Sequence, residues 1–296
     1  MSVSIVVVLH ESAAVLTGLL RSLDEHGPSD AELVVVDTGS RDAGTALARA
    51  GGAEVVELGH NPGFGAANNA GLARARHGVT VLLNPDCELL DGALGRLAAR
   101  ATADPRALHV PRLLNADSSV QRSAHPLPGT VGALLPALVH PPVLPHALRE
   151  RVEPWRAEQG RTVGWAIAAC LAASTATLRE LGPFDPRLFL FAEDLDLGLR
   201  ARAAGVPTRL HPDLRIRHLG GHSTRAAFAS EPHVEIALRR REVVERVRGR
   251  GARRLDDAAQ AVTFATRLAA RGALGRPAGR ERAQLAAQLA VIRHAG

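Results

Sequence analysis

LVVVDTGSRD, residues Leu33–Asp42, is an apolar, mostly β-branched run that stops on an acid followed by turn-forming residues. It reads as a strand, Leu33–Val36, buried on both faces with Asp37 at its carboxyl end. The flanking sequence repeats this pattern at the pace of βαβ units. Ser4–Leu9 is a first strand, Ala14–Leu23 a helical stretch, Thr45–Ala50 a second helix and Glu54–Leu58 a third strand. A helix over Ala66–Arg76 follows a Gly-rich turn, and Val79–Leu83 is a fourth strand ending at Asn84-Pro85-Asp86. Continuous apolar strands separated by helices predict an α/β fold with a mostly parallel, Rossmann-like central sheet flanked by helices. Sites in such sheets lie at the carboxyl ends of strands, where Asp37 and Asp86 both fall.

Further along, prolines recur every few residues between Pro126 and Pro154, which forbids a long regular element. That stretch is either a mobile flap or a packed irregular connection. A second structured block runs from Val163 to about His222. Amphipathic helical patterns follow, broken at Gly249–Gly251 and at Gly272–Gly279. The division expected is a body of residues 1–228 and a basic helical extension of residues 229–296.

Composition narrows the class. With 296 residues, 46 % hydrophobic and 22 % charged, the chain can bury a large core and is not expected to be disordered. The net charge of +6 comes from Arg alone, since there is no Lys. From Glu235 onward 14 Arg face 6 acids, so the tail is basic and the body slightly acidic. Such a tail suits anionic lipid or another acidic partner, or is a solvated helical face; it is also a candidate homodimer face. Nucleic-acid binding is not indicated, because the basic residues lack interleaved aromatics. The two cysteines, Cys87 and Cys170, have neither CxxC nor Cys/His spacing, so no disulfide framework or zinc site is implied. The N-terminal apolar run lacks a basic n-region and a cleavage site, and reads as a strand. No apolar stretch reaches the roughly 18–20 residues needed to cross a bilayer. The expected location is cytoplasmic, free or at the inner membrane face.

Three further segments carry chemistry. FDPRLFLFAEDLDLGLR, Phe184–Arg200, places Glu193 and Asp194 at the start of a helix whose apolar residues Leu195, Leu199 and Ala203 recur at helical spacing. Asp is also an ordinary N-cap. At that helix N-terminus Asp194 is expected to be ionised at neutral pH and weakly basic. GHNPGFGAANNAG, Gly59–Gly71, combines close backbone approach at Gly63 and Gly65 with the uncharged amides of Asn68 and Asn69. The helix after it aims N–H groups at whatever fills the loop, a favourable place for phosphate. It is neither a P-loop nor a GxGxxG turn after the first strand. LLNPDCELL, Leu82–Leu90, offers Asp86 as an oxygen ligand for Mg²⁺ or Mn²⁺, with Glu88 nearby, although Asn-Pro-Asp is also a good turn former.

VVVDTGSRD, NPGFGAANNAG, LLNPDCELLDGAL and GPFDPRLFLFAEDLDLGLR, in this order, resemble the family 2 inverting glycosyltransferases of the GT-A fold. The rhamnosyltransferase-like branch, active in cell-wall and surface polysaccharide synthesis, is the most similar, over roughly residues 1–225. The resemblance implies that Asp37 binds the nucleotide base or ribose and that Gly63, Gly65, Asn68 and Asn69 belong to the nucleotide-sugar site. Asp86 would take the last position of the family's DxD motif, binding metal and diphosphate, with Asn84 in place of its first acid. His218, in RHLGGHS, would complete the metal site. Asp194 would be the general base and Glu193 would orient the acceptor, with Trp165 and Asp185 in the acceptor pocket. The first strand ends in Leu9-His10-Glu11 where the family has a Thr-Tyr-Asn type sequence, so Leu9 and Glu11 take nucleotide-binding positions of altered chemistry. His222 is a second histidine of that region, and Trp165 sits in an apolar run that would by default be core.

The reaction so implied is transfer of a sugar, with rhamnose the leading expectation, from a dTDP- or UDP-sugar to a glycan or polyprenyl-linked hydroxyl. Two readings compete with it: transfer to a small natural product or a protein, and a non-catalytic binding protein of the same fold.

Overall fold

The computed structural model describes residues 2–134, 145–220 and 232–293. Strand β1 (Val3–Leu9) is buried along its whole length and forms the spine of the molecule. It pairs in parallel with β2 (Ala31–Asp37), from Val3 opposite Ala31 to Leu9 opposite Asp37, and on its other edge with β4 (Val79–Leu83). Beyond β2 lies β3 (Glu54–Glu57), also parallel. The strands read from the sequence therefore form the parallel half of the sheet. Past β4 the direction reverses at β10 (Cys170–Ser174), which is antiparallel to β4 and to β6 (Leu108–Leu114). Strand β11 (Thr208–His218) runs parallel to β6 and receives β5 (Cys87–Leu89) and β8 (Arg161–Val163) antiparallel. Strands β7 (Ala124–His125) and β9 (Trp165–Ala166) pair separately.

Helices cover both faces, which is why the strands are apolar throughout rather than alternating. On one face α1 (Ala13–His26) and α4 (Ala93–Ala103) bring Leu16, Leu19, Leu94 and Leu97 onto Val3, Ile5, Val7 and Leu9. On the other, α3 (Phe64–Arg74), α6 (Thr175–Leu181) and α7 (Glu193–Ala203) bring Leu72, Leu178 and Leu197 onto Val6, Val34, Val36 and Leu82. Each of these side chains contributes about 1.5–3 kcal/mol by leaving water. The short helices α2 (Gly44–Ala50) and α5 (His146–Val152) complete the body. Within the Pro126–Pro154 stretch the described pieces are short turns and α5; residues 135–144 lie outside the described residues.

Helix α3 begins at Phe64, two residues before the sequence suggested, because Gly63 takes φ 95° and turns the chain into the helix there. The helix lies flush on the sheet at Gly71, where a Cβ would collide with Val6 Cγ1 and come within 3.0 Å of Val36 Cγ2. This close approach fixes the height of the Gly63 loop above β1.

The C-terminal helices α8 (His233–Ala273), interrupted at Gly249, and α9 (Gly279–Arg293) pack on each other. The first break falls where the glycines predicted it. Much of the tail's positive charge is matched internally: Arg240 pairs with Asp256 at 2.7 Å and Arg241 with Asp257 at 3.2 Å. Helix α8 meets α7 through Leu188, Leu195, Leu199, Val243 and Val244. The division at residue 228, and His222, lie outside the described residues. Among the described residues no helix is long and apolar enough to cross a membrane.

We expect Gly71→Ala to lower stability by about 1–3 kcal/mol in denaturant unfolding, because overpacking against β1 outweighs the gain in helix propensity. An unchanged or increased midpoint would show that α3 can ride up from the sheet.

Candidate active site

A cavity of about 440 Å³ opens at the carboxyl ends of β1 and β4, as an α/β sheet predicts. Its wall is contributed by the end of β1, the Gly63 loop, the Asn84–Asp86 turn, residues 167–169, the Phe189–Leu190 segment, Glu193, Asp194 and His218.

At the β1 corner the alternation of the strand separates neighbours. Leu9 is fully buried in the core beneath the sheet, whereas His10 faces the cavity. The Thr38 hydroxyl donates to the Leu9 carbonyl at 2.8 Å and lies 3.0 Å from His10 Nδ1, which orients the imidazole. Glu11, at φ 49°, accepts from the Arg41 N–H and donates its own N–H to Ser40 Oγ, both at 3.0 Å. Asp37 is buried and its carboxylate accepts from the Gly39 and Ser40 N–H groups at 3.0 and 3.1 Å. Neither Leu9, Glu11 nor Asp37 lines the cavity; His10 and Thr38 do. His10, the first residue past β1, is the one its position at a strand end singles out.

The Gly63 loop is held by the segment before α7. A Cβ at Gly63 would collide with the Phe189 carbonyl oxygen, and the Phe64 N–H donates to that oxygen at 3.2 Å. Gly65 abuts Phe184 in the same way. Asn69 donates to the Phe184 carbonyl at 2.8 Å and accepts its N–H at 3.2 Å, while Asn68 donates to the Phe64 carbonyl at 2.9 Å. Gly63 reaches the cavity; Gly65 and Asn69 sit behind it and dock α3 onto Phe184, while Asn68 ties back within α3 to Phe64.

At the end of β4 the charges are arranged differently. Asp86 Oδ1 lies 3.2 Å from His218 Nε2, and Asp86 Oδ2 accepts from the Gly220 N–H at 3.0 Å. Burial alone would raise the Asp86 carboxyl, but the bond and charge of His218 and nearby N–H groups outweigh it and leave it below its ordinary value. The other ring nitrogen, Nδ1, is 2.8 Å from Gln121 Oε1, whose amide is oriented by its bond to Asn115 Oδ1. Gln121 therefore receives the Nδ1 proton, and Nε2 faces the carboxylate. Asn84 Nδ2 lies 3.3 Å from the same nitrogen and can donate to it, and a proton or a cation beside the carboxylate would relieve the remaining repulsion between the two acceptors. Asn84 Oδ1 is also buried and, among the described residues, has no hydrogen-bond partner. One carboxylate, one imidazole and one amide oxygen suit a divalent ion that takes its remaining ligands from phosphate oxygens. Among the described residues no group of three or more His, Cys, Asp and Glu surrounds a common point, so phosphate would have to complete the shell. Gln121 carried no sequence signal; only the fold brings it to His218.

Glu193 and Asp194, which also line the cavity, open α7. Glu193 is buried, and among the described residues its Oε2 has no hydrogen-bond partner. Asp194 accepts from the Leu195 N–H at 2.7 Å. Burial pushes both carboxyls up, and the Asp194 charge adds to the rise at Glu193. The weak basicity expected from the helix N-terminus is thus overturned, because loss of water outweighs the helix dipole. The entry to α7 is strained: Phe191 and Ala192 adopt φ 69° and 64°. Left-handed non-glycine residues cost on the order of 1–3 kcal/mol each and persist where the surroundings over-determine them.

The two residues assigned to an acceptor pocket lie apart from the cavity lining. Trp165 stacks on His125 with centroids 4.3 Å apart and packs against Gly198 of α7. Asp185 pairs with Arg187 and Arg246, each at 2.8 Å, and the Arg187 bond holds its carboxyl well below the usual range.

Comparison with known proteins agrees with this arrangement. Two N-acetylglucosaminyl-diphospho-decaprenol L-rhamnosyltransferases, from Mycobacterium tuberculosis strains CDC 1551 / Oshkosh and H37Rv, are 28 % identical over 240 residues, covering 74 % of this chain and 76 % of theirs. Among solved structures, the mannosyltransferase PcManGT of Pyrobaculum calidifontis, in complex with GDP-Man and Mn²⁺, superposes with a TM-score of 0.57 at 17 % identity, over 98 % of this chain and 84 % of that one. GalNAc-T7 with UDP, GalNAc and Mn²⁺ matches at a TM-score of 0.57 and 18 % identity; the match covers 73 % of this chain but only 43 % of that longer one. These likenesses show the fold, a GT-A glycosyltransferase fold. The sequence profile of Glycosyl transferase family 2 matches residues 4–176, more than half of the chain, and the protein belongs to that family.

Proposed function

We propose that the protein is a metal-assisted, inverting glycosyltransferase that moves a sugar, rhamnose first among candidates, from a nucleoside diphosphate to a hydroxyl of a polyprenyl-linked saccharide. The observation that carries this reading is that two unlike acidic centres line one cavity: Asp86 with His218, and Glu193 with Asp194. The kinship with decaprenol-linked rhamnosyltransferases supports the sugar and the acceptor class. Exposed Phe189 and Leu219, flanking the site, would suit an acceptor with an apolar part.

The residues divide the work by charge. A bound Mn²⁺ or Mg²⁺, held by Asp86 and His218 with the Asn84 amide oxygen, would supply positive charge to the diphosphate. Gln121 keeps the Nδ1 proton away from the ligating nitrogen. His10 and Thr38 present polar edges to the nucleotide, and the Gly63 loop admits its backbone closely. Asp194 takes the proton of the acceptor hydroxyl as that oxygen bonds to the anomeric carbon. The bond from that carbon to the diphosphate oxygen breaks on the opposite face, so configuration inverts. One base suffices, unlike the two carboxylates of the hydrolases. Its raised affinity for protons makes Asp194 a better base than a solvated aspartate. Glu193, more strongly raised, keeps its proton longer and can donate to the acceptor.

Metal and donor binding can be read together by thermal shift. We expect UDP or dTDP to stabilise the wild type in the presence of Mn²⁺ or Mg²⁺, and Asp86→Ala to abolish that increment. Gln121→Leu should weaken Mn²⁺ binding about 10–100-fold while leaving the fold intact. Stabilisation by nucleotide that ignores both metal and Asp86 would remove the metal from the mechanism.

Asp194→Asn should cut kcat about 10²–10⁴-fold with little change in donor affinity, as loss of a general base does. A loss confined to KM would assign Asp194 to binding instead.

The carboxylate pair also links stability to pH. Its folded-state proton affinities lie above those of the unfolded chain, so its contribution is complete below the ordinary carboxylate range, about pH 4, and falls as pH rises through the raised values. We expect the stability advantage of Glu193→Gln/Asp194→Asn over wild type to grow from about pH 5 to pH 8, followed by chemical denaturation. A pH-independent difference would mean that the two carboxyls are not desolvated in solution.

A further inference from the structure

A side chain from the C-terminal helices braces both flanks of the turn that leads into the carboxylate pair. Arg246 of α8 divides its two terminal nitrogens between two acids: Nη1 is 2.8 Å from Asp185 Oδ2 and Nη2 is 2.8 Å from Asp196 Oδ1. Asp185 starts the segment that delivers Phe189 and Leu190 to the cavity. Asp196 is fully buried in the first turn of α7, two residues past Asp194. Its other oxygen receives Arg200 Nε at 2.7 Å, and Arg200 in turn binds the Leu181 and Pro183 carbonyls at 2.6 and 2.7 Å. Between the two anchors lie Phe191 and Ala192, in the left-handed region. A bulky residue stays there only if both flanks are held.

The apolar seam of Leu188, Leu195, Leu199, Val243 and Val244 joins α8 to α7 but is non-directional. Charge-assisted bonds from a planar guanidinium to two carboxylates are directional, and a lysine ammonium cannot span both in the same way. We propose that Arg246 is a positioning residue for sugar transfer: by bridging Asp185 and Asp196 it holds the Phe191-Ala192 turn closed and fixes where Glu193 and Asp194 meet the acceptor. This rests on the reading of that pair as the acceptor-activating group. It also makes α8 a working part of the site, although none of its residues lines the cavity.

The test compares wild type, Arg246→Met, Arg246→Lys and Val243→Ala, the last thinning the same seam without touching the bridge. Three quantities are measured on the full chain: amide hydrogen exchange over residues 186–197, Kd for UDP and dTDP with Mn²⁺, and kcat and KM with dTDP- and UDP-sugar donors. For Arg246→Met we expect exchange in 186–197 to accelerate and kcat to fall about 10–100-fold, as a misplacement of about 1 Å costs, with nucleotide Kd unchanged. Arg246→Lys should lie between it and wild type. Val243→Ala, compared at the same loss of Tm, should keep most of kcat. Equal kcat losses at equal Tm losses, a loss seated in nucleotide Kd, or unchanged exchange over 186–197 would overturn the proposal. If the wild type transfers no sugar, the proposed function fails separately. The exchange arm then still decides the clasp: acceleration confined to 186–197 in the Arg246→Met chain supports it, and its absence sinks it.

Discussion

Two adjacent carboxylates at the start of α7, Glu193 buried and Asp194 half-buried, are the constraint around which the rest of this protein is arranged. Ionising either one against the other in a water-poor cavity costs free energy. The fold therefore has to hold them there by other means. It does so through a left-handed turn at Phe191-Ala192, the docking of the Gly63 loop onto Phe189, and the arginine bridge from α8. Each of these would be an unexplained expense in a protein that needed only a stable sheet. Together they describe a site prepared in advance, where the groups are aimed before any substrate arrives.

The second acidic centre of the cavity follows the reverse logic. Asp86 is equally enclosed, yet its carboxyl is held low because His218 and backbone N–H groups face it. Pairs of acids whose surroundings push their proton affinities apart are how one pocket performs two tasks. Here a centre of raised proton affinity and a centre of lowered proton affinity line one cavity. Gln121 and Asn115 extend the second centre by fixing the imidazole tautomer, at a distance from the cavity and without charge.

Legibility from the sequence tracked how local the cause was. Strand β4 matched its expected bounds, because a burst of apolar residues ended by Asn-Pro-Asp is a local signal. Helix α3 starts two residues earlier than its sequence suggests since its start depends on Gly63 meeting Phe189, 126 positions away, a contact that no window contains. The antiparallel β10 between β4 and β6 was equally unreadable, as pairing partners are chosen in space. Of the candidate site residues, Gly63, Asn84, Asp86, Glu193, Asp194 and His218 converge on the cavity. Leu9 and Glu11 flank His10, which does reach it, a matter of strand alternation. Asn69 and Gly65 hold the loop from behind, while Asn68 ties back within α3.

The sequence by itself determined the layered α/β architecture and the residue types that do chemistry, because hydrophobic periodicity and turn chemistry act over a few residues. It also determined that the strands would end on acids and amides. Only the tertiary structure decided the proton affinities of those acids. Burial raises Glu193 and Asp194 against the helix dipole, while a histidine brought from β11 lowers Asp86. Desolvation and facing charges depend on what lies within a few ångströms, and for Asp86 those neighbours, His218 and Gly220, come from 132 and 134 positions away.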